Sequence, residues 1–244
     1  MGLTIGLDAD DTLWHNERLF SMTEQRFEAL VSPYVSAAEA SLSERLLATE
    51  SRNLATLGYG VKSFVLSMIE TAIEVTGGAV PTSVIAELLD AGKAMMAHPV
   101  ELLDGVAEAV AELAARWPLV LVTKGDLFHQ ESKLARSGLG EHFARIEIVS
   151  EKDERTYRKV IDALGIAAAD FIMVGDSLRS DVLPVLAIGA RAVHIPGFRE
   201  WALERASIGA ESEGRWCRVP SLAAVVALLE SGADGLWPAP VDAY

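Results

Sequence analysis

Short apolar segments alternate with helical patterns through the second half of the chain, and this alternation most restricts the possible folds. Five segments have the length and composition of buried strands: 3–8, 119–123, 146–149, 171–174 and 191–195. Helical patterns separate the later four strands, at about residues 127–137, 155–164 and 181–188. Strands and helices that alternate at this spacing predict an α/β fold with a mostly parallel, doubly wound sheet. Ligands bind such sheets at the carboxyl ends of the strands.

The interval between the first two strands is too long for a single crossover, which needs roughly a dozen residues or a few more. Helical patterns fill this interval, at residues 37–55, 83–96 and, as the crossover helix itself, 105–116. Amphipathic helices inserted at one point of a sheet are typical of a small helical bundle. We therefore predict a core domain of residues 1–16 and 99–244 and an inserted helical domain of residues 17–98.

The composition excludes several classes of partner. The formal net charge of the 244 residues is -14, which argues against nucleic acid and anionic membranes because both require a basic surface. No uncharged apolar run has transmembrane length, and no secretory signal is visible at the N-terminus. Cys217 is the only cysteine, so an intrachain disulfide is excluded and a reducing compartment is favoured. We expect a soluble cytoplasmic protein, monomeric or homodimeric, with a loose Gly- and Pro-rich tail at residues 232–244.

Three carboxylates, Asp8, Asp10 and Asp11, lie within four residues at the end of the first strand. Carboxylates at this spacing repel one another unless a cation or protons intervene. Oxygen ligands favour a hard ion, and Mg²⁺ is the usual one at phosphate sites. The same cluster read alone is also compatible with a solvated acidic turn.

A second acidic turn follows the fourth strand, where Gly175 precedes Asp176 and Asp181 comes five residues later. Glycine permits a tight turn, which would aim Asp176 from the strand end into the same cleft as the first cluster. Gly-Asp pairs are common in loops. This pair therefore indicates a shared site only through its order and spacing relative to the first cluster.

Several other groups could bind an anionic oxygen. Thr123 ends the second strand and precedes Lys124 and Gly125, which offer a hydroxyl, a cation and free backbone N–H groups. Lys152 follows the third strand and could neutralise charge at the same edge of the sheet. Lys62 lies in a segment with glycine and aromatic residues that either lines a cleft or begins a packed helix. For the lysines, a solvated surface position is the competing interpretation.

Taken together, these residues resemble the four motifs of the haloacid dehalogenase superfamily. The matching positions are Asp8-x-Asp10-x-Thr12, then Thr123, then Lys152, then Gly175-Asp176 with Asp181. Their order and their places at the ends of strands agree with the family over nearly the whole chain. The resemblance implies a Rossmann-like core with a helical cap of the first type, inserted after the first motif.

The resemblance also implies a Mg²⁺-dependent phosphohydrolase acting on small phosphate monoesters. Asp8 would be the nucleophile that forms an aspartyl-phosphate, and Asp10 would be the general acid and then the general base. Mg²⁺ would be held by Asp8, by the Asp10 carbonyl and by Asp176, with Asp181 supporting the site. Thr123 and Lys152 would bind the phosphoryl group. We further expect the neighbouring carboxylates to raise the pKa of Asp10, so that it carries a proton near neutral pH.

One departure and two alternatives accompany this resemblance. Asp11 stands where phosphatases of the family usually have glycine, which adds a negative charge beside the site. The presence of Asp10 argues against a dehalogenase, since those enzymes lack this second aspartate. A phosphomutase acting on sugar phosphates uses the same aspartate pair and stays open. A non-catalytic phosphate-binding regulatory module is the alternative from another functional class.

Overall fold

The computed structural model describes residues 2–36, 41–199, 201–209 and 214–231. Within these residues the core is one six-stranded sheet, in which every neighbouring pair of strands is parallel. The strands are β1 Thr4–Leu7, β2 Leu119–Lys124, β3 Arg145–Val149, β4 Phe171–Gly175, β5 Arg191–His194 and β6 Trp216–Arg218. The predicted parallel α/β sheet is therefore confirmed.

The strand order β3-β2-β1-β4-β5-β6 makes the chain wind outward in two directions from the middle of the sheet. It moves from β1 through β2 to β3 on one side, and from β4 through β5 to β6 on the other. The order reverses between β1 and β4, which are hydrogen-bonded neighbours. In open α/β sheets this switch point is where ligands bind, at the carboxyl ends of the strands.

Side chains alternate between the two faces of the sheet and build a core on each. On one face Leu7, Leu121 and Val174 contribute to a buried apolar cluster. On the other face Val122 and Met173 belong to a second cluster. Both faces of the central strands are thus covered, which explains why these strands are continuous apolar runs rather than alternating ones.

Helices cover the sheet and also form a separate compact unit. The helices that follow the insertion are α5 Val106–Ala114, α6 Leu127–Ser137, α7 Glu154–Leu164, α8 Leu183–Ala187 and α9 Leu222–Glu230. The helices within the insertion are α1 Glu17–Val31, α2 Leu42–Leu57, α3 Val61–Val75 and α4 Thr82–Ala97. The latter have their own apolar core, in which Phe27, Met68 and Leu88 are fully buried.

The structure divides into two compact units whose bounds can be compared with the predicted domains. One unit comprises Met1–Glu17, Val100–Lys124 and Gln130–Tyr244, and the other comprises Arg18–Pro99 with Gly125–His129. The sequence placed residues 125–129 in the core domain, whereas their contacts associate them with the helical unit. Residues 125–129 directly follow β2, so nothing in the sequence was a reason to separate them from the core domain.

Some elements differ from those expected. The sequence predicted neither β6 nor α9, and the helix predicted at 181–188 is a π-helical turn, Leu178–Val182, followed by the short α8. The predicted tail at 232–244 and residues 37–40 of the predicted helix at 37–55 lie outside the described residues. Among the described helices, none combines the length and the apolar character that crossing a membrane requires. Cys217 on β6 is buried, and this burial raises the pKa of its thiol to about 12.

Candidate active site

Three carboxylates converge at the switch point of the sheet. Asp8 directly follows β1, Asp176 directly follows β4, and Asp181 lies in the π-helical turn after β4. Each offers one carboxylate oxygen such that the three oxygens lie within 4.8 Å of one another. Because β1 and β4 are parallel neighbours, residues that follow them necessarily emerge at the same edge. The two acidic turns, which are far apart in the sequence, thus form a single cluster of carboxylates in the structure.

Lys152, from the loop between β3 and α7, reaches into this cluster. Its ammonium donates to Oδ1 of Asp8 and, at 2.6 Å, to Oδ1 of Asp181. The side chain is almost completely buried, with 2% of its surface exposed. Burial alone would lower the pKa of Lys152, but the charges of Asp181 and Asp8 raise it well above its ordinary value. Lys152 is therefore a fixed cation beside the proposed nucleophile.

The cluster carries more negative charge than Lys152 neutralises. Burial, together with the charges of Asp181 and Asp10, raises the pKa of Asp8 to about 7, although Lys152 opposes this change. Burial and the charges of Asp8 and Asp181 raise the pKa of Asp176 well above its usual range. Three closely spaced carboxylates, two of them buried and one partly buried, offer hard oxygen donors that fit a divalent cation such as Mg²⁺, which would relieve this repulsion.

Asp10 has a different environment from these three residues. Its Oδ1 accepts a hydrogen bond from Trp14 Nε1 at 2.6 Å and forms an ion pair with Lys133 Nζ at 2.5 Å. Its Oδ2 accepts from Gln130 Nε2 at 3.0 Å. Burial opposes ionisation, but Lys133 and the donors Trp14 and Gln130 together lower the pKa of Asp10. The expectation of a raised pKa for Asp10 was wrong in direction, because the sequence did not reveal these partners.

Gln130 and Lys133 are site residues that the sequence analysis missed. They lie three residues apart on α6, so that both face the same side of that helix, and both are buried. Gln130 also donates to Thr123 Oγ1 at 2.8 Å, and thereby links Thr123 at the end of β2 to Asp10. The detectable signal was a pair of long polar side chains at helical spacing on the helix that follows Thr123.

The side chains of the other predicted binding residues make contacts of their own. The Lys124 ammonium donates to Glu204 Oε1 at 2.6 Å and to Ser180 Oγ at 2.8 Å. Gly125 and Lys62 both belong to the helical unit, where Lys62 Nζ pairs with Asp126 Oδ2 at 2.9 Å. Lys62 therefore forms an exposed ion pair within its own unit.

Two glycines allow the backbone to approach the acidic cluster closely. A Cβ atom on Gly175 would collide with the carboxylate of Asp181, and one on Gly197 would lie 2.9 Å from Asp176 Oδ2. Neither position needs a left-handed backbone, so the requirement for glycine is one of space. Gly175, which the sequence singled out as a turn residue, is thus explained by the packing of Asp181 against it.

Asp11 shows why its position favours glycine. Its φ is 60°, the only positive φ among the described non-glycine residues, and this left-handed conformation is costly for most side chains. The carboxylate compensates by accepting hydrogen bonds from the backbone N–H of Asn16 at 3.1 Å and of Glu17, the first residue of α1, at 2.8 Å. Burial raises the pKa of Asp11 to about 6, although these bonds oppose the shift.

We expect Asp11→Gly to change the free energy of unfolding by less than about 1 kcal/mol. The glycine relieves the left-handed backbone by roughly 1 kcal/mol, which offsets a similar loss of the bonds to Asn16 and Glu17. Asp11→Ala loses the same bonds without that relief and should be destabilised by about 1 kcal/mol. Urea denaturation of both variants measures the difference. Equal destabilisation by glycine and alanine would show that the backbone conformation carries no cost.

Comparison with known proteins agrees with this geometry. The sequence-family model of the haloacid dehalogenase-like hydrolases matches residues 3–189 of this chain. A phosphoserine phosphatase of Thermus thermophilus is 30% identical over 220 residues, which cover 78% of this chain and 86% of that protein. A mouse N-acylneuraminate-9-phosphatase is 30% identical over 129 residues, covering 50% of this chain and 52% of that protein.

A solved structure is more similar still. The crystal structure of a haloacid dehalogenase-like family hydrolase from Xanthomonas campestris has a TM-score of 0.84 and 42% sequence identity. The match covers 94% of this chain and 95% of that one. The family resemblance seen in the sequence is therefore confirmed. With the family model matching most of its length and the motif residues gathered at the switch point, the chain belongs to the haloacid dehalogenase-like hydrolases.

Proposed function

We propose that this protein is a Mg²⁺-dependent phosphatase that hydrolyses small phosphate monoesters through an aspartyl-phosphate on Asp8. The observation that carries the proposal is the position of Asp8. Its carboxylate lies at the switch point, is bonded by the buried Lys152, and shares a cluster with Asp176 and Asp181. A carboxylate becomes a competent nucleophile toward phosphorus when nearby cations draw charge from the phosphoryl oxygens.

Asp8 and Asp176, with Asp181 beside them, are the residues that would hold the metal through carboxylate oxygens. The family resemblance adds the backbone carbonyl of Asp10 to this set. When bound, Mg²⁺ supplies positive charge that polarises the phosphoryl group and orients it for in-line attack. The excess negative charge of the cluster and the raised pKa of Asp176 support this assignment.

In the proposed first step, a carboxylate oxygen of Asp8 forms a bond to phosphorus as the ester P–O bond breaks. Lys152 stabilises the charge that accumulates on the phosphoryl oxygens and holds Asp8 in place. The hydroxyl of Thr123, positioned by Gln130, is the proposed donor to a phosphoryl oxygen. The leaving oxygen takes a proton from Asp10.

In the second step, a water molecule attacks phosphorus, Asp10 removes its proton, and the bond to Asp8 breaks to release inorganic phosphate. The carboxylate form of Asp10, favoured by Lys133 and Trp14, suits this role as a base. For the first step the same group must instead carry a proton. We propose that the arriving phosphate dianion supplies the negative charge that makes protonation of Asp10 favourable.

The substrate is proposed to be a small phosphorylated metabolite. The relative from Thermus thermophilus, which matches this chain over most of its length, is a phosphoserine phosphatase. This makes phosphoserine the first substrate to test, followed by N-acylneuraminate 9-phosphate.

We further propose that residues 17–98 act as a cap with Lys62 as a substrate contact. A cytoplasmic location and a monomeric or homodimeric state also stay predictions.

Purified protein is expected to release inorganic phosphate from phosphoserine or another small monoester only when Mg²⁺ is present. Excess chelator should abolish the activity, and Ca²⁺ should inhibit it, because calcium prefers longer bonds and more ligands. A phosphate-release assay over a panel of monoesters measures both effects. Full activity in chelator would overturn the metal assignment. Transfer of the phosphoryl group to a sugar instead of water would identify a phosphomutase.

A further inference from the structure

Glu204 occupies a position that none of the four motifs includes. It lies in a short 3₁₀ helix, Ala202–Glu204, after β5, and only 13% of its side chain is exposed. Its Oε1 accepts from Lys124 Nζ at 2.6 Å. Its Oε2 accepts from the hydroxyls of Ser177 and Ser180, each at 2.5 Å. A single, mostly buried carboxylate thus accepts from three donors in two separate segments of the chain.

The donors and acceptors around Glu204 show that its side chain must act as a hydrogen-bond acceptor. Each serine hydroxyl has one hydrogen to donate, and both hydroxyls also accept a bond from elsewhere. Ser177 Oγ accepts from the backbone N–H of Ser180 at 3.0 Å, and Ser180 Oγ accepts from Lys124 Nζ at 2.8 Å. Both hydroxyl hydrogens therefore point to Glu204. A glutamine at this position would bring an N–H₂ donor toward groups that are already donors.

The segments held by Glu204 are the ones that bear the proposed active-site residues. Lys124 directly follows Thr123 at the end of β2. Ser177 and Ser180 lie between Asp176 and Asp181, within or next to the π-helical turn. The backbone N–H of Ser177 also donates to Asp181 Oδ2 at 3.1 Å. Any displacement of these serines would therefore move the carboxylates between which they lie.

We propose that Glu204 is a positioning residue that holds the turn between Asp176 and Asp181 in the conformation that binds Mg²⁺. The proposal rests on the proposed function, because it takes these two aspartates as part of the metal site. Glu204 acts through the two serine hydroxyls and Lys124, and its side chain bonds to neither Asp176 nor Asp181. Partners that orient metal ligands from a distance contribute about 10- to 100-fold to metal affinity.

The test is Mg²⁺ binding measured by isothermal titration calorimetry on the full-length wild-type protein and on Glu204→Gln. We expect the variant to bind Mg²⁺ at least about tenfold more weakly. The Mg²⁺ concentration for half-maximal phosphatase activity should rise by a similar factor, whereas kcat at saturating Mg²⁺ should stay within about threefold. Glu141→Gln is the matched control, since Glu141 is exposed, and it should behave as wild type.

Each outcome decides the proposal. Unchanged Mg²⁺ affinity in Glu204→Gln would overturn the role of Glu204 and leave the phosphatase assignment intact. A wild-type protein that binds no Mg²⁺ would overturn both. A loss of kcat that excess Mg²⁺ does not restore would show a general structural role and also overturn the proposal. If Glu204→Gln fails to fold, Ser180→Ala removes one hydroxyl from the same carboxylate, and normal Mg²⁺ affinity in that variant would contradict the proposal.

Discussion

Asp8→Asn is expected to abolish turnover, with a loss of more than about 10⁴-fold, because no carboxylate then remains to attack phosphorus. The asparagine has the same shape, and its amide oxygen can still accept the hydrogen bond from Lys152. The variant should therefore keep its fold. The phosphate-release assay with the best monoester gives the activity, and circular dichroism checks the fold.

The same variant should be more stable than wild type when Mg²⁺ is absent. Asp8, Asp176 and Asp181 place three carboxylates beside Lys152, so removing one negative charge relieves repulsion. Thermal denaturation in chelator should show a higher Tm for Asp8→Asn, whereas the exposed control Asp162→Asn should change neither Tm nor activity. Near wild-type turnover in Asp8→Asn would refute the covalent mechanism and favour direct attack by water.

Asp10→Asn is expected to slow both half-reactions by about 10² to 10⁴, because the group that gives and takes the proton is lost. The size of the loss in the first step should depend on the leaving group. An alkyl phosphate needs a proton on its leaving oxygen, whereas p-nitrophenyl phosphate does not. With p-nitrophenyl phosphate the variant should therefore form the phosphoenzyme and accumulate it, and acid quenching of a radiolabelled reaction should trap the phosphoryl group on Asp8.

The ion pair between Asp10 and Lys133 complicates this variant and must be controlled. Lys133 has only 9% of its side chain exposed, so the loss of its partner should also lower Tm. Kinetics are therefore compared at a temperature where circular dichroism shows the variant fully folded, with Asp162→Asn as the matched substitution. An equal rate loss for both leaving groups, with no trapped phosphoenzyme, would contradict the role of Asp10 in proton transfer.

The sequence by itself determined the type of sheet and where its ligand-binding edge lies. Continuous apolar runs such as β2 and β4 are typical of strands buried on both faces, and their alternation with helices leaves few topologies other than a parallel sheet. Asp8 and Asp176 each end such a run, so their convergence follows from the parallel pairing of β1 and β4. The elements β6 and α9 escaped prediction because three residues of strand and an almost wholly apolar helix give little periodic signal.

Tertiary structure alone decided the chemistry around these strand ends. The lowered pKa of Asp10 depends on Lys133, which is 123 positions away in the chain, and the Glu204 cluster depends on Lys124, which is 80 positions away. Neither helical periodicity nor strand composition encodes which distant side chain will fill a given buried position. A carboxylate's protonation depends on the burial and the charges within a few ångströms, and those are fixed only once the chain has packed.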